Sequence, residues 1–169
     1  GRGHSVRCLL RPESDLSRIR HLPFESHRGD VRDATSVAAG AEGCDAIIHL
    51  AGISSWEQIR KEAHQLEAIV VGGTRNVLEA ALRAGVKRTV MVSSSAAING
   101  SRRPKVFTEK SAYRLKNPSL GYSLAKRKAE RVVRGYVKNQ DLDAVIVNPC
   151  EVYGAQDIGL VTASNLIGL

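Results

Sequence analysis

The chain has 169 residues, 43% of them hydrophobic, and this length and composition suit one globular domain over residues 1–169. No hydrophobic run is long enough to cross a bilayer, so we expect a soluble protein with no membrane partner. The net charge is +8, but aromatic residues make up only 4% of the chain and no zinc-finger, helix-turn-helix or RNA-binding signature is present. We therefore predict no nucleic-acid partner.

The three cysteines show neither a metal-ligand pattern nor a disulfide pattern. Cys8, Cys44 and Cys150 are far apart, odd in number and outside any Cys-x-x-Cys or histidine-containing spacing. We interpret them as small core residues in a reducing compartment and expect a cytoplasmic protein without a metal site.

The N-terminal part alternates short strands with helical segments. Residues 5–10 form a predicted buried strand and residues 24–27 a second one, with a turn or short helix at 13–20 between them. A polar turn then leads into a predicted helix over 34–41, for which Asp33 is the predicted N-cap.

Two further predicted strands end in small or polar residues. The strand at 46–50 ends at Ala51 and Gly52, and the strand at 88–92 runs into the serine cluster 93–95. The carboxyl ends of parallel strands meet at one edge of a sheet, where α/β proteins bind ligands. This edge is therefore the predicted binding site.

The helical segments complete an α/β pattern. A long helix is predicted over 63–84 and another from Gly121 to Lys138, followed by a strand at 143–147. Strands and helices alternate throughout, which predicts a doubly wound parallel sheet with helices on both faces. The loop from residue 100 to 119 is long for a compact domain and is interpreted as a functional or covering segment.

Tyr122 and Lys126 lie four residues apart, so both side chains should project from one face of their helix. A cation about 5 Å from a phenol lowers its pKa by about 2 units at an effective dielectric constant of about 20, before burial opposes the effect. The pair is therefore a candidate acid/base. A packed tyrosine beside a lysine with a buried stem remains the alternative.

Basic residues also recur along another face of this helix. We interpret them as a solvated stripe: Arg127, Arg131, Arg134 and Lys138.

Six motifs in order along the chain carry a family resemblance. They are His49-Leu-Ala-Gly52, Gly73-Thr-Arg-Asn-Val-Leu-Glu-Ala-Ala81, Gly85-Val-Lys-Arg88, Ser93-Ser-Ser95, Tyr122-Ser-Leu-Ala-Lys126 and Asn148-Pro-Cys-Glu-Val-Tyr-Gly154. From Ser5 to Gly154 the chain resembles the extended short-chain dehydrogenase/reductases, the NAD-dependent epimerase/dehydratase family, and within it the dihydroflavonol-reductase-like branch. The resemblance implies a Rossmann-like domain, an NAD(P) cofactor and a small-molecule substrate.

The resemblance also implies catalytic roles. Tyr122 is the implied proton donor or acceptor, and Lys126 lowers its pKa and binds the nicotinamide ribose. Ser95, counted from the loop glycine Gly100, orients the substrate oxygen, with Ser94 as the alternative.

Further positions match cofactor-binding segments of the family. Asp30 matches an acidic residue that contacts the adenine, although an aspartate that stabilises a turn is an equal alternative. The other implied positions are Ala51, Gly52, Ser93, Asn148 and Pro149. His49 is interpreted as a packed, hydrogen-bonded histidine, and Cys150 as a wall residue.

Arg11 bears on the choice of cofactor. An acidic residue at the end of its strand would bind the ribose 2′-hydroxyl of NAD, whereas a guanidinium suits the 2′-phosphate of NADP. We therefore predict NADP in preference to NAD. An exposed arginine without a ligand is the alternative.

The chain departs from the family pattern in two ways. Val70 stands where the family often has an asparagine, and neither the first strand with its glycine loop nor the C-terminal substrate region is found. We therefore expect a fragment whose sheet is incomplete at both ends, which binds NADP weakly and has no turnover of its own.

The whole protein is predicted to be an NAD(P)-dependent oxidoreductase acting on a carbonyl or alcohol carbon. The apolar loop with Trp56 favours a ring-shaped or acyl substrate over a polar one. A sugar-nucleotide epimerase/dehydratase and a non-catalytic NAD(P)-binding regulatory protein are the alternatives. A homodimer is a further expectation.

Overall fold

The described part of the chain alternates strands with helices. The structure, a computed structural model, describes residues 3–53, 63–101, 103–115, 120–150 and 152. Its strands are β1 (Arg7–Leu10), β2 (Glu25–Arg28), β3 (Ala46–His49), β4 (Arg88–Val92) and β5 (Ala144–Val147); its helices are α1 (Ala34–Ala41), α2 (Gly73–Arg83) and α3 (Gly121–Gln140). The predicted alternation is confirmed. None of these helices combines the length and the apolar character needed to cross a bilayer.

All strand pairs in the described residues are parallel. β1 pairs with β2, and β4 lies between β3 and β5. The register places Ile48 beside Val90, and Val90 beside Val145. Because these strands run in the same direction, β3, β4 and β5 all end at one edge of their sheet.

The three helices pack side by side. α2 contacts α1 on one flank and α3 on the other. Successive side chains of a strand point to opposite faces of the sheet. In β3, Ile47 packs into the helical core, while Ile48 on the other face is 65% exposed. Within the described residues the helices therefore cover one face of the β3–β5 sheet, where the sequence predicted helices on both faces. The opposite face carries exposed apolar side chains: Ile48, Leu50, Val145 and Val147.

The start of α1 follows its sequence signal. The Asp33 carboxylate accepts a hydrogen bond from the Thr35 backbone N–H at 3.0 Å, so the predicted N-cap is confirmed. The cap satisfies one of the N–H groups that the first turn of a helix leaves without a partner.

The predicted helix over 63–84 is not one regular helix. A 3₁₀ turn (Ala63–Gln65) and a π-helical turn (Ala68–Gly72) precede α2. The Thr74 hydroxyl donates to the Val70 carbonyl at 2.6 Å and so occupies an acceptor that a regular helix would offer to a backbone N–H. This hydrogen bond lies at the junction between the π-helical turn and α2.

The start of α2 packs closely on the loop after β2. A Cβ placed at Gly73 would lie 2.9 Å from Cγ2 of Val31, and the Asn76 side chain donates to the Val31 carbonyl at 2.7 Å. Only glycine fits this approach, which sets the loop holding Asp30 against α2.

Candidate active site

The carboxyl ends of β4 and β5 are joined by backbone hydrogen bonds. The Ser93 N–H donates to the Val147 carbonyl at 2.8 Å, and the Ser95 N–H donates to the Pro149 carbonyl at 2.9 Å. These bonds bring the serine cluster and Asn148-Pro149 to one edge of the sheet, as the sequence predicted.

The first turns of α3 place Tyr122 and Lys126 at the same edge. The Lys126 ammonium lies 5.9 Å from the centroid of the Tyr122 ring and donates to the carbonyl of Val92, the last residue of β4, at 3.0 Å. A Cβ at Gly52 would lie 3.4 Å from Lys126 Nζ, so the backbone after β3 borders the ammonium directly. The structure therefore brings Gly52, Tyr122 and Lys126 together.

Burial dominates the protonation of this pair. It raises the pKa of Tyr122, an effect that the hydrogen bond with Ser94 opposes. It lowers the pKa of Lys126, an effect that the charge of Glu130 opposes. The spacing of Tyr122 and Lys126 predicted a lowered pKa for Tyr122, whereas in the structure the pKa of Tyr122 is raised. The phenol is partly buried, and the ammonium is bonded to the Val92 carbonyl.

The three serines have different surroundings. Ser94 is the one whose side chain bonds to Tyr122, and its Oγ also accepts from the Ala96 N–H at 3.2 Å. Ser93 is buried, and its hydroxyl donates to Glu130 at 2.8 Å. Ser95 contacts the segment after β5 through its backbone. The alternative, Ser94, is thus the serine beside the phenol.

Glu130 is a site residue that the sequence analysis did not identify. Its side chain is 1% exposed, and Oε1 accepts from the Ser93 hydroxyl and from Asn148 Nδ2 at 2.6 Å. Oε2 accepts from Arg134 at 2.9 Å and from Arg127 at 3.4 Å. The sequence analysis considered only the arginines around it, Arg127 and Arg134, as parts of a solvated stripe. The available signal was its place among Ala129 and Val133, which are buried on the same face.

A cleft at the ends of β1, β2 and β3 contains four of the predicted cofactor-binding residues. Its lining includes Arg11, Asp30, Ala51 and Gly52, together with Arg32, which the sequence analysis did not single out. Arg32 binds both carboxylate oxygens of Asp30 at 2.9 and 2.6 Å, and this contact holds the pKa of Asp30 below its usual value, against the effect of burial. Asp30 also accepts from the Arg32 backbone N–H at 2.8 Å, so it stabilises its own turn.

His49 is packed and hydrogen-bonded, as predicted. Its Nε2 lies 3.0 Å from the Thr74 hydroxyl, and since that hydroxyl donates to Val70, Nε2 is the donor. Burial lowers the pKa of His49 to about 4, and the charge of Lys126 acts in the same direction. The imidazole is therefore neutral at neutral pH.

The cysteines only partly match the prediction that they fill the core. Cys8 and Cys44 are half-buried, but Cys150 is exposed. No cluster of side chains in the described ranges could hold a metal ion. Trp56 and the segment Tyr153-Gly154 lie outside the described residues.

Comparison with known proteins identifies the family of this chain. Residues 1–166 match the NAD dependent epimerase/dehydratase family. The chain belongs to this family. The resemblance and the Rossmann-like α/β fold that the motifs implied are thereby confirmed, and the family uses NAD(P).

Its relatives include reductases and dehydratases. A ketoreductase of 4-hydroxy-2-methyl-3-oxo-4-farnesyl-3,4-dihydroquinoline-1-oxide from Stigmatella aurantiaca is 31% identical over 92% of this chain and 45% of its own length. A putative dihydroflavonol 4-reductase from Synechocystis is 31% identical over 92% of this chain and 44% of its own. The dTDP-glucose 4,6-dehydratase of Streptomyces venezuelae, solved with NAD and TYD bound, is 30% identical with a TM-score of 0.74, covering 90% of this chain and 48% of that one. The chain thus spans about half the length of the relatives it matches.

Proposed function

We propose that the whole protein is an NAD(P)-dependent oxidoreductase that reduces an aldehyde or ketone to an alcohol. The observation that supports this is the hydrogen bond between Ser94 and Tyr122 beside the buried ammonium of Lys126, next to the backbone of Gly52. The glycine at position 52 leaves open the space that a side chain would fill, and the adjoining cleft with Arg11 and Asp30 suits a nucleotide. The residues present therefore fit a dinucleotide cofactor.

In the proposed reaction Tyr122 supplies the proton. Burial raises its pKa, so the phenol is protonated at neutral pH and can donate to the oxygen of a carbonyl substrate. The reduced nicotinamide, when bound, supplies the hydride for the carbonyl carbon. The substrate gains one hydride and one proton and leaves as the alcohol, while Lys126 stabilises the tyrosinate.

Ser94 is proposed to bind the same substrate oxygen. Its hydroxyl already shares a hydrogen bond with Tyr122, so an oxygen that reaches the phenol also lies within reach of Ser94. Ser95, the residue implied by counting from Gly100, remains the second candidate for this role.

NADP is proposed in preference to NAD. Arg11 lines the nucleotide cleft. Its ion pair with Glu13 is exposed and 3.4 Å long, so Glu13 competes only weakly with a phosphate for the guanidinium. The negative charge of Asp30 is already matched by Arg32. Arg11→Asp should shift the preference toward NAD by about tenfold or more, whereas Arg131→Asp, on the exposed side of α3, should not.

A sugar-nucleotide epimerase or dehydratase is the second candidate. The similarity to the dTDP-glucose dehydratase favours it, because that protein shares the fold at 30% identity. The two candidates differ in cofactor balance, since carbonyl reduction oxidises the cofactor and epimerisation leaves it unchanged overall. A protein that binds NAD(P) without turnover is a third reading, and it is less favoured because Ser94, Tyr122 and Lys126 are assembled.

The test uses the whole protein with NADPH or NADH and a panel of aldehydes, ketones and sugar nucleotides. Fluorescence of the reduced cofactor reports both binding and its consumption. Consumption of NADPH with a ketone is the expected result. A product epimer without net cofactor change, or binding without any turnover, would contradict the proposal.

A further inference from the structure

The carboxylate of Glu130 connects three elements beneath the candidate active site. It lies in the middle of α3 and accepts from Ser93, just after β4, and from Asn148, just after β5. Burying a carboxylate to 1% exposure costs a large desolvation free energy unless hydrogen bonds compensate for it. Both oxygens of Glu130 have hydrogen-bond partners. Its position therefore ties the ends of two strands to the helix that carries Tyr122.

Glu130 fixes the orientation of the Asn148 amide. Asn148 Nδ2 donates to Glu130 Oε1 at 2.6 Å and to the Ser94 carbonyl at 2.9 Å, and an amide nitrogen has only two hydrogens. Turning the amide over would place its oxygen against these two acceptors. Asn148 can therefore offer a ligand only its oxygen, which is an acceptor.

The hydrogen bonds of Asn148 also fix the backbone of Ser94. Its carbonyl accepts from Asn148, while its hydroxyl is bonded to Tyr122. A continuous set of contacts thus runs from Glu130 through Asn148 and Ser94 to the phenol. The charge of Glu130 also opposes the loss of the proton from Lys126.

We propose that Glu130 is a positioning residue, which fixes Ser94 against Tyr122 and turns Asn148 so that its amide oxygen accepts from an N–H or O–H of the bound ligand. This role rests on the proposed oxidoreductase function. This role is distinct from a purely structural ion pair with Arg127 and Arg134, because Glu130 also accepts hydrogen bonds from Ser93 and Asn148 at the ends of β4 and β5.

The test compares Glu130→Met, Glu130→Gln and Asn148→Ser in the whole protein. Methionine keeps the length and helix propensity of the side chain but removes both acceptors, whereas glutamine keeps one oxygen. We expect Glu130→Met to lower kcat by about tenfold or more and to raise KM for NADPH by a smaller factor, because the cleft with Arg11 and Asp30 is untouched while Asn148 loses its orientation. Glu130→Gln should restore part of kcat, and Asn148→Ser should reproduce the defect. Glu67→Met is the matched control, since Glu67 also bonds to α3 but through the exposed Lys128.

A second measurement is independent of turnover. The side-chain amide resonances of Asn148, identified by their loss in Asn148→Ser, should move in Glu130→Met and stay in place in Glu67→Met. If the methionine variant does not fold, Glu130→Gln carries this measurement, because a neutral acceptor weakens the same bond. If the unaltered protein lacks turnover, the oxidoreductase proposal fails, while the amide resonances still decide the role of Glu130. Reduced stability with an unchanged kcat, or unmoved Asn148 resonances, would overturn the inference.

Discussion

Tyr122 is the residue on which the proposed chemistry depends most directly. Tyr122→Phe removes the hydroxyl that exchanges the proton and keeps the ring, so turnover should fall by about a hundredfold or more. Cofactor affinity should stay within a few fold, because the ring still packs in place. Steady-state kinetics and cofactor fluorescence measure the two effects.

The control for this variant lies on the same helix. Tyr136 bonds to Glu79, away from the strand edge, and Tyr136→Phe should leave turnover unchanged. Equal losses in the two variants would show that a general weakening of α3, and not the proton path, is responsible.

Ser94 and Ser95 can be separated by a paired substitution. Ser94 shares a hydrogen bond with Tyr122, so Ser94→Ala should lower kcat by about tenfold or more, while Ser95→Ala should have the smaller effect. Kinetics of both variants with one ketone substrate measure the difference. The reverse order would assign the substrate oxygen to Ser95, as the count from Gly100 implied.

Several site residues could be predicted from the sequence, but the direction of their pKa shifts could not. The four-residue spacing of Tyr122 and Lys126 required only a helix, which the structure has. The direction of the Tyr122 pKa depends on burial, which the spacing does not contain. Glu130 was missed because its partners, Ser93 and Asn148, lie far from it in sequence.

At the scale of elements, two glycines in helices should respond oppositely to alanine. A Cβ at Gly73 would clash with Val31, and Gly73→Ala should lower the free energy of unfolding by about 1–3 kcal/mol. In α3 a Cβ at Gly135 has no atom outside its own helix within 4 Å, and Gly135→Ala should raise the free energy of unfolding by about 0.5–1 kcal/mol. Denaturant unfolding of both variants measures the difference. A similar change in both would show that the contact with Val31 does not constrain α2.

The elements themselves followed local signals closely. β4 spans the predicted residues 88–92, and α1 spans 34–41, because each has a clear hydrophobic pattern and a clear boundary. The irregular turns before α2 were not predictable from periodicity, because the apolar residues there recur at a spacing that also fits one regular helix.

At the scale of the whole molecule, the uncovered face of the β3–β5 sheet has a consequence for the chain by itself. In the part of the chain that the structure describes, β1 and β3 each have one edge without a strand partner, and Leu50 is 69% exposed. Open edges and apolar faces promote association. We expect the 169-residue chain alone to self-associate.

Sedimentation velocity measures this association. A double substitution, Ile48→Thr with Leu50→Thr, should reduce the association if this face is responsible. A monomeric chain would contradict the expectation.

The buried imidazole of His49 makes the molecule sensitive to acid. Its pKa is about 4 in the folded chain and about 6.5 when unfolded, so the folded state excludes a proton that the unfolded state accepts. Relative to acidic pH, this difference in pKa contributes about 3 kcal/mol to the free energy of unfolding above pH 6.5. That contribution is lost as the pH falls toward 4. In His49→Gln that part of the pH dependence should vanish, while His64→Gln, an exposed histidine, should keep it. Denaturant unfolding between pH 7 and 4 measures it, and identical slopes in all three proteins would refute the assignment. Acidification thus weakens the fold through a residue that takes no part in the proposed proton transfer.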